Sequence, residues 1–338
     1  MSLGPRSVDI NPFAIAIARF RLIVAALRAC GIKRINKASA WNIHLATEDS
    51  LLFGSRWDQH GKKRAEEQFL DESWAPEIYA CEDKDAISEA LGQQYHAVVG
   101  NPPFITPKDS ASRKEYRKRY KTAYDKYHLS TPFTERFFEL AGVRNGSSAA
   151  GYVGLIKDNA FMKRDFGKKL IEDFFPRVDL THVIDTSGAY IPGHGTPTVI
   201  LFGRNQRPIQ DTVRAVLGIR GEPQRPEPPV NGKVWQSIVL HIDHAESEDD
   251  YTSVSQRCFL TLLAFVLPQK MRWPRCFATC GLTRLIYPIA KCLAARPKCK
   301  QASSGLSMAV VGDSRSSWFL FPTITVIPFP GDKRPVPP

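Results

Sequence analysis

A chain of 338 residues, 43% hydrophobic and 24% charged, carries enough apolar material for one large domain or two and is excluded from the disordered and fibrous classes. Its net charge of +12 is unevenly spread: residues 251–338 hold 12 Lys/Arg against two acids, and residues 1–250 hold the other 34 basic and 32 acidic residues, so bulk charge alone is no argument for a nucleic-acid partner. The longest apolar run, Phe259 to Leu267, is too short to span a bilayer, and seven cysteines without a secretory signal read as reduced thiols in a cytoplasm. In chain order, Ser7–Ile10 reads as a strand end. Asn11-Pro12 then opens a helix as N-cap and first position, with an expected apolar stripe of Phe13, Ile17, Phe20 and Val24 and a cap at Gly31. Asn42–Ala46 reads as a strand, Lys63–Leu70 and Asp85–Leu91 as short helices, and Ala97–Gly100 as a buried strand. A helix is expected from Thr131-Pro132 through Leu140, a strand over Gly151–Ile156 and a helix over Lys163–Phe174. Leu180–Asp185 and Thr198–Phe202 read as two strands joined without a helix, and Val213–Ile219 as one more. Alternating strands and helices predict an α/β fold with a mostly parallel sheet, and the pair joined without a helix predicts an antiparallel edge. A Pro-rich linker over Gly221–Gly232 separates residues 1–219, the expected catalytic domain, from a following region; beyond residue 251 the sequence is basic, Cys-containing and aperiodic.

The most informative segment is Asn101-Pro102-Pro103-Phe104, directly after the strand Ala97–Gly100. A conjugated exocyclic amine is a poor nucleophile because its lone pair is delocalised. Asn-Pro-Pro-aromatic at a strand end resembles the signature of enzymes that methylate an amino or amide nitrogen, in which the Asn101 side-chain carbonyl and the Pro102 backbone carbonyl would each accept one N–H bond and turn that lone pair toward a methyl donor. The prolines stiffen the turn and keep Asn101 out of helical geometry, so the acceptors stand in place before substrate arrives. Phe104 offers a flat face to a base. The same four residues also read as an ordinary strand-to-loop turn. In an open α/β sheet ligands bind at the carboxyl ends of the strands, where Asp9, Asp49 and Asn101 follow in order. Asp9 and Asp49 also read as a helix-flanking carboxylate and a turn residue.

The stretches Val8–Leu22, Asp49-Ser50-Leu51-Leu52 and Val98–Phe104 resemble successive motifs of adenine-specific DNA methyltransferases. Residues 151–198 resemble the large phage-defence methylases of the phage-growth-limitation (BREX) type, which are related to restriction-modification methylases. The resemblance implies a class I S-adenosylmethionine-dependent methyltransferase with a Rossmann-like sheet. It implies that Asp9, with Ile10, binds the ribose of S-adenosylmethionine, that Asp49, with Ser50, binds its adenine, and that Asn101 also contacts the cofactor. Asn101 and Pro102 would accept from the N6-amino group of a target adenine flipped out of double-stranded DNA, with Pro103 rigid between them and the stacking Phe104. No metal enters this chemistry, no membrane is involved, and other defence-system proteins are admissible partners.

Two departures stand against the resemblance: the family's Gly-rich loop is not found, and nothing after about residue 251 resembles the family. The Gly-rich loop of the family belongs upstream of Asp9, where only eight residues stand, so the first strand and that loop are expected to be missing and the sheet edge left open. The only Gly-x-Gly is Gly193-His194-Gly195. A basic stretch, Arg113–Lys126, holds seven Lys/Arg, two acids and three tyrosines. Lys108, Arg113, Lys114, Arg117, Lys118, Arg119 and Lys121, with His194, are the expected nucleic-acid contacts, the alternative being a solvated helix whose tyrosines pack inward. Cys276-x3-Cys280 and Cys292-x6-Cys299 do not match the usual zinc spacings. Two rival functions remain open: a fragment that binds nucleic acid or a partner without chemistry, and methylation of guanine N2 in RNA or of glutamine in protein.

Overall fold

The computed structural model describes residues 6–37, 41, 43–58, 60–64, 84–144, 149–193, 195–258 and 324–327. The strands are β1 (Arg6–Asp9), β2 (His44–Thr47), β3 (Ala97–Gly100), β4 (Tyr152–Asp158), β5 (Asp179–Asp185), β6 (Thr198–Arg204), β7 (Thr212–Gly218), β8 (Ser247–Glu248), β9 (Thr252–Cys258) and β10 (Ile324–Ile327). They form one sheet in the order β2-β1-β10-β3-β4-β6-β5-β7-β9-β8. Only β10, β6 and β9 run against the other strands, so this is a mostly parallel α/β sheet with antiparallel insertions.

The antiparallel pair β5–β6 forms as its short Gly/Pro connection requires, but it lies inside the sheet, because β7, β9 and β8 continue beyond it. The expected open edge beside β1 is likewise interior. β10 fills the position between β1 and β3 and pairs antiparallel with both, matching Val8 with Ile324 and Ile324 with Gly100. A strand so distant in sequence gives no local signal of where it pairs.

Helix α1 (Pro12–Ala29) starts as its sequence predicts, with the Asn11 side chain accepting the Phe13 N–H at 2.9 Å. Its buried contacts are Ala14 and Ile15, whereas Phe13 is 75% exposed, Ile17 47% and Phe20 65%. The expected apolar stripe is therefore not the packing face. Small Ala14 lets the helix approach the sheet closely on another side.

Helix α2 (Lys84–Leu91) buries Ile87, Ala90 and Leu91; α3 (Ser110–Arg119) and α4 (Ser130–Leu140) follow the signature turn. The single helix expected over Lys163–Phe174 is instead a chain of short 3₁₀ and π turns. Here the backbone folds back on itself: a Cβ on Gly167 would stand 1.7 Å from the Phe161 carbonyl oxygen, so only glycine fits the approach. After the Pro-rich segment, α5 (Lys233–His241) places Val234 and Ile238 against Ile184, Val216 and Val254 in a small core on the β5-β7-β9 side. The expected helix at Lys63–Leu70 lies mostly outside the described residues.

Between β2 and α4 the packing depends on a fully buried cation. Arg136 donates to the carbonyls of Ser50 (3.0 Å), Phe53 (3.1 Å) and Ser55 (2.8 Å), and its neighbour Glu139 pairs with buried Arg56 at 2.6 Å. These bonds hold the loop after β2, which has no ladder of its own, and so fix the end of the sheet where Asp49 stands.

Candidate functional site

The parallel ladder brings the strand ends to one edge. β1 and β2 match Asp9 with Thr47, and the Glu48 N–H donates to the Asp9 carbonyl at 3.0 Å, so Asp9 and the Asp49 turn are direct neighbours. Asn101 stands two strands from Asp9, across β10, which at the spacing of paired strands is about 10 Å. β4 ends beside it at Asp158, in register with Thr198 at the start of β6. The calls at Asp9, Asp49 and Asn101 thus fall on one sheet edge.

Asp9 is 2% exposed and accepts the Asn11 N–H at 2.7 Å; Ile10 beside it is 40% exposed, an apolar surface next to a carboxylate. Asp49 is buried. One of its oxygens accepts the Leu51 N–H at 2.8 Å and the other the Tyr116 hydroxyl at 2.5 Å. Burial pushes its carboxyl above the usual range, opposed by the Tyr116 and backbone hydrogen bonds. The Asp49 charge and burial together push the Tyr116 phenol far up, so it remains a donor. Each carboxylate oxygen has a second lone pair, so Asp49 keeps acceptor capacity toward a ligand. Ser50 is buried in the same turn. Tyr116→Phe is expected to cost about 1–3 kcal/mol, because a buried carboxylate loses its donor. A urea melt showing an unchanged midpoint would refute this.

At the signature turn Pro102 is buried, and Pro103 and Phe104 are half-buried. The Asn101 side-chain oxygen is buried and has no hydrogen-bond partner among the described residues. An unpaired buried acceptor costs about 1–3 kcal/mol unless a donor meets it, so this atom can accept a hydrogen bond from a donor that a ligand brings.

Phe104 lines a cavity of about 250 Å³ with His128, Asp158, Lys163, Arg164 and Thr196. His128 Nδ1 lies 3.0 Å from Asp158, whose other oxygen accepts the Ser130 hydroxyl at 2.8 Å. Burial would raise the Asp158 carboxyl, but the His128 hydrogen bond, the Lys157 charge and the Ser130 hydroxyl hold it below its ordinary value. Ionised Asp158 only accepts, so His128 Nδ1 carries the proton and Nε2 is the ring nitrogen left for a ligand. The Leu129 N–H donates to the Ile105 carbonyl at 2.8 Å and ties this wall to the signature loop. Sequence reasoning missed His128, Asp158, Lys163 and Arg164. His128 lies on a separate segment that only the fold brings in, while Asp158, Lys163 and Arg164 fall within the 151–198 stretch that carries the family resemblance, which was their one signal.

The expected nucleic-acid residues divide into two sets. On α3 and its flanks Arg113 donates to the Pro107 carbonyl (2.6 Å), Arg117 to the Asp125 carbonyl (2.5 Å) and Arg119 to the Leu52 carbonyl (2.8 Å), and Lys118 pairs with Glu115 at 2.6 Å. Lys108, Lys114 and Lys121 are exposed and form no ion pair among the described residues. Tyr116 and Tyr120 are buried and Tyr124 is 42% exposed, so two of the three tyrosines pack inward. His194 lies outside the described residues. Among the described residues no cluster of His, Cys, Asp or Glu could hold a metal ion, and no helix is long and apolar enough to cross a membrane.

A family described as Eco57I restriction-modification methylase matches residues 6–191. An adenine-specific methyltransferase PglX from Streptomyces coelicolor is 49% identical over 256 residues, 73% of this chain and 21% of the relative. The type II methyltransferase M.BstVI from Geobacillus stearothermophilus is 29% identical over 128 residues, 37% of this chain and 21% of its own length. The chain therefore spans about a fifth of the length of these two relatives. A solved modification subunit of a putative type I restriction enzyme from Vibrio vulnificus covers 49% of this chain and 34% of its own, at 10% identity and a TM-score of 0.38.

Proposed function

As the chain belongs to the Eco57I restriction-modification methylase family, we propose that it transfers a methyl group from S-adenosylmethionine to the N6-amino group of adenine in double-stranded DNA, in a phage-defence or restriction-modification setting. The observation that carries this reading is the buried, unpartnered oxygen of Asn101 beside the aromatic Phe104. The acceptors present suit the nucleoside half of the cofactor, whose ribose hydroxyls and adenine amine are donors. Asp9 would take the hydroxyls and Asp49 with Ser50 the ring amine, while Ile10 packs against the ring. When bound, the cofactor supplies an electrophilic sulfonium methyl. Asn101 and the Pro102 carbonyl hold the target amine with its lone pair aimed, Pro103 keeps the turn rigid, and Phe104 stacks on the flipped base. The exposed lysines at 108, 114 and 121 and the α3 arginines lie close in sequence to the loop that DNA would approach.

The test is incubation with methyl-labelled S-adenosylmethionine and separate pools of DNA, RNA and protein. N6-methyladenine confined to the DNA pool is expected; label in RNA guanine or protein glutamine would replace the substrate assignment. One observation favours binding without chemistry. β10 runs against its neighbours, so the strand between β1 and β3 begins at the ligand edge rather than ending there. A cofactor titration separates the two: micromolar binding supports the catalytic reading, and no binding supports the other.

A further inference from the structure

We propose that Lys163 and Arg164 hold the phosphates flanking a nucleotide whose base enters the Phe104 cavity. The inference rests on the nucleic-acid reading above and assigns it a contact surface distinct from α3. Both residues line the cavity, both are exposed, and neither side chain has a hydrogen bond or ion pair among the described residues. Their positions are set by the backbone: the Lys163 and Arg164 N–H groups both donate to the Ala160 carbonyl at 3.0 Å, and the Asn159 N–H donates to the Pro197 carbonyl at 3.1 Å. The rim is thus pinned to both β4 and the turn into β6.

The cavity lining decides the assignment: Lys108, Lys114 and Lys121, on and beside α3, are also exposed without an ion pair among the described residues, but they do not line the cavity. Arg113, Arg117 and Arg119 spend guanidinium donors on carbonyls of their own chain, and Lys118 on Glu115. Two adjacent cations at the mouth of a cavity with an aromatic wall match a nucleotide, which joins a flat apolar base to a strong anion. An acidic peptide would meet the cations and leave the Phe104 face unmatched.

The experiment measures affinity for a mixed-sequence DNA duplex across a salt series, without methyl donor. The double variant Lys163→Ala/Arg164→Ala is compared with Arg177→Ala/Arg207→Ala, which removes the same charge from exposed residues before β5 and after β6, at the opposite edge of the sheet. Loss of two phosphate contacts should lower the slope of log affinity against log salt by about 1.8 and weaken binding on the order of tenfold at low salt. Exchanging the two side chains, Lys163→Arg with Arg164→Lys, should restore the slope. Equal slopes for the two alanine pairs, no duplex binding by the parent, or competition by an acidic peptide as effective as by DNA would each overturn the proposal. Because no methyl donor is present, failure of methylation and failure of this contact read out separately.

Discussion

Asn101→Ala should reduce methyl transfer by about 10² to 10³, with DNA and cofactor affinity little changed. Under the proposed function the side-chain carbonyl accepts from a nitrogen that gains positive charge as the methyl arrives, so its effect grows in the transition state rather than in the bound complex. The variant carries a second, opposite expectation. The Asn101 oxygen is buried and has no hydrogen-bond partner among the described residues, so its removal should leave stability unchanged or raise it by about 1 kcal/mol. Lower rate together with an equal or higher melting midpoint identifies an atom retained for chemistry. A rate within tenfold of the parent would show that Asn101 is not the acceptor, and a large loss of stability would show that its oxygen has a structural partner.

Lys157→Met should stabilise the protein at pH 6 by about 3–5 kcal/mol. Lys157 is fully buried, its amine has no hydrogen-bond partner among the described residues, and it lies 4.0 Å over the Phe161 ring. Burial pulls its pKa down from 10.5 to about 7, only partly offset by Asp158. Between those values the unfolded chain binds the proton that the folded chain has lost, so stability rises with pH over that window. Below about pH 7 the folded protein carries the full cost of a charged buried amine, some 3.5 pH units at about 1.4 kcal/mol each as an upper bound. Methionine removes that cost with nearly conserved shape, so the gap between variant and parent should be widest at pH 6 and close toward pH 10. Urea melts at pH 6 and 9.5 check this. A variant less stable than the parent at pH 6 would mean that the amine is paired and charged. This lysine lies at the end of β4, next to Asp158 and the cavity, so the fold keeps an expensive group at its ligand edge.

Much of the ligand edge was legible in the sequence because local physics writes it there. Asn11-Pro12 is a helix start wherever it occurs, and β-branched Val98-Val99 followed by Asn-Pro-Pro is a strand that must stop. The neighbours of those strands were not legible. α1 shows a clean apolar period at Phe13, Ile17 and Phe20, yet it packs through Ala14 and Ile15, because periodicity reports which face is apolar and not which face finds a partner. The Lys163–Phe174 stretch has helical composition, yet the close approach of Gly167 to the Phe161 backbone breaks it into turns.

By itself, then, the sequence determined the chemistry at the strand ends: a rigid turn with two carbonyl acceptors and an aromatic face, after two strands that end near carboxylates. Each of these is a property of a few consecutive residues. The tertiary structure alone decided what surrounds them. It placed β10 between β1 and β3, set Tyr116 on Asp49, paired His128 with Asp158, and left Lys163 and Arg164 open at the cavity mouth. Those contacts join residues from distant segments, and sheet pairing and burial, which carry no local signature, bring them together.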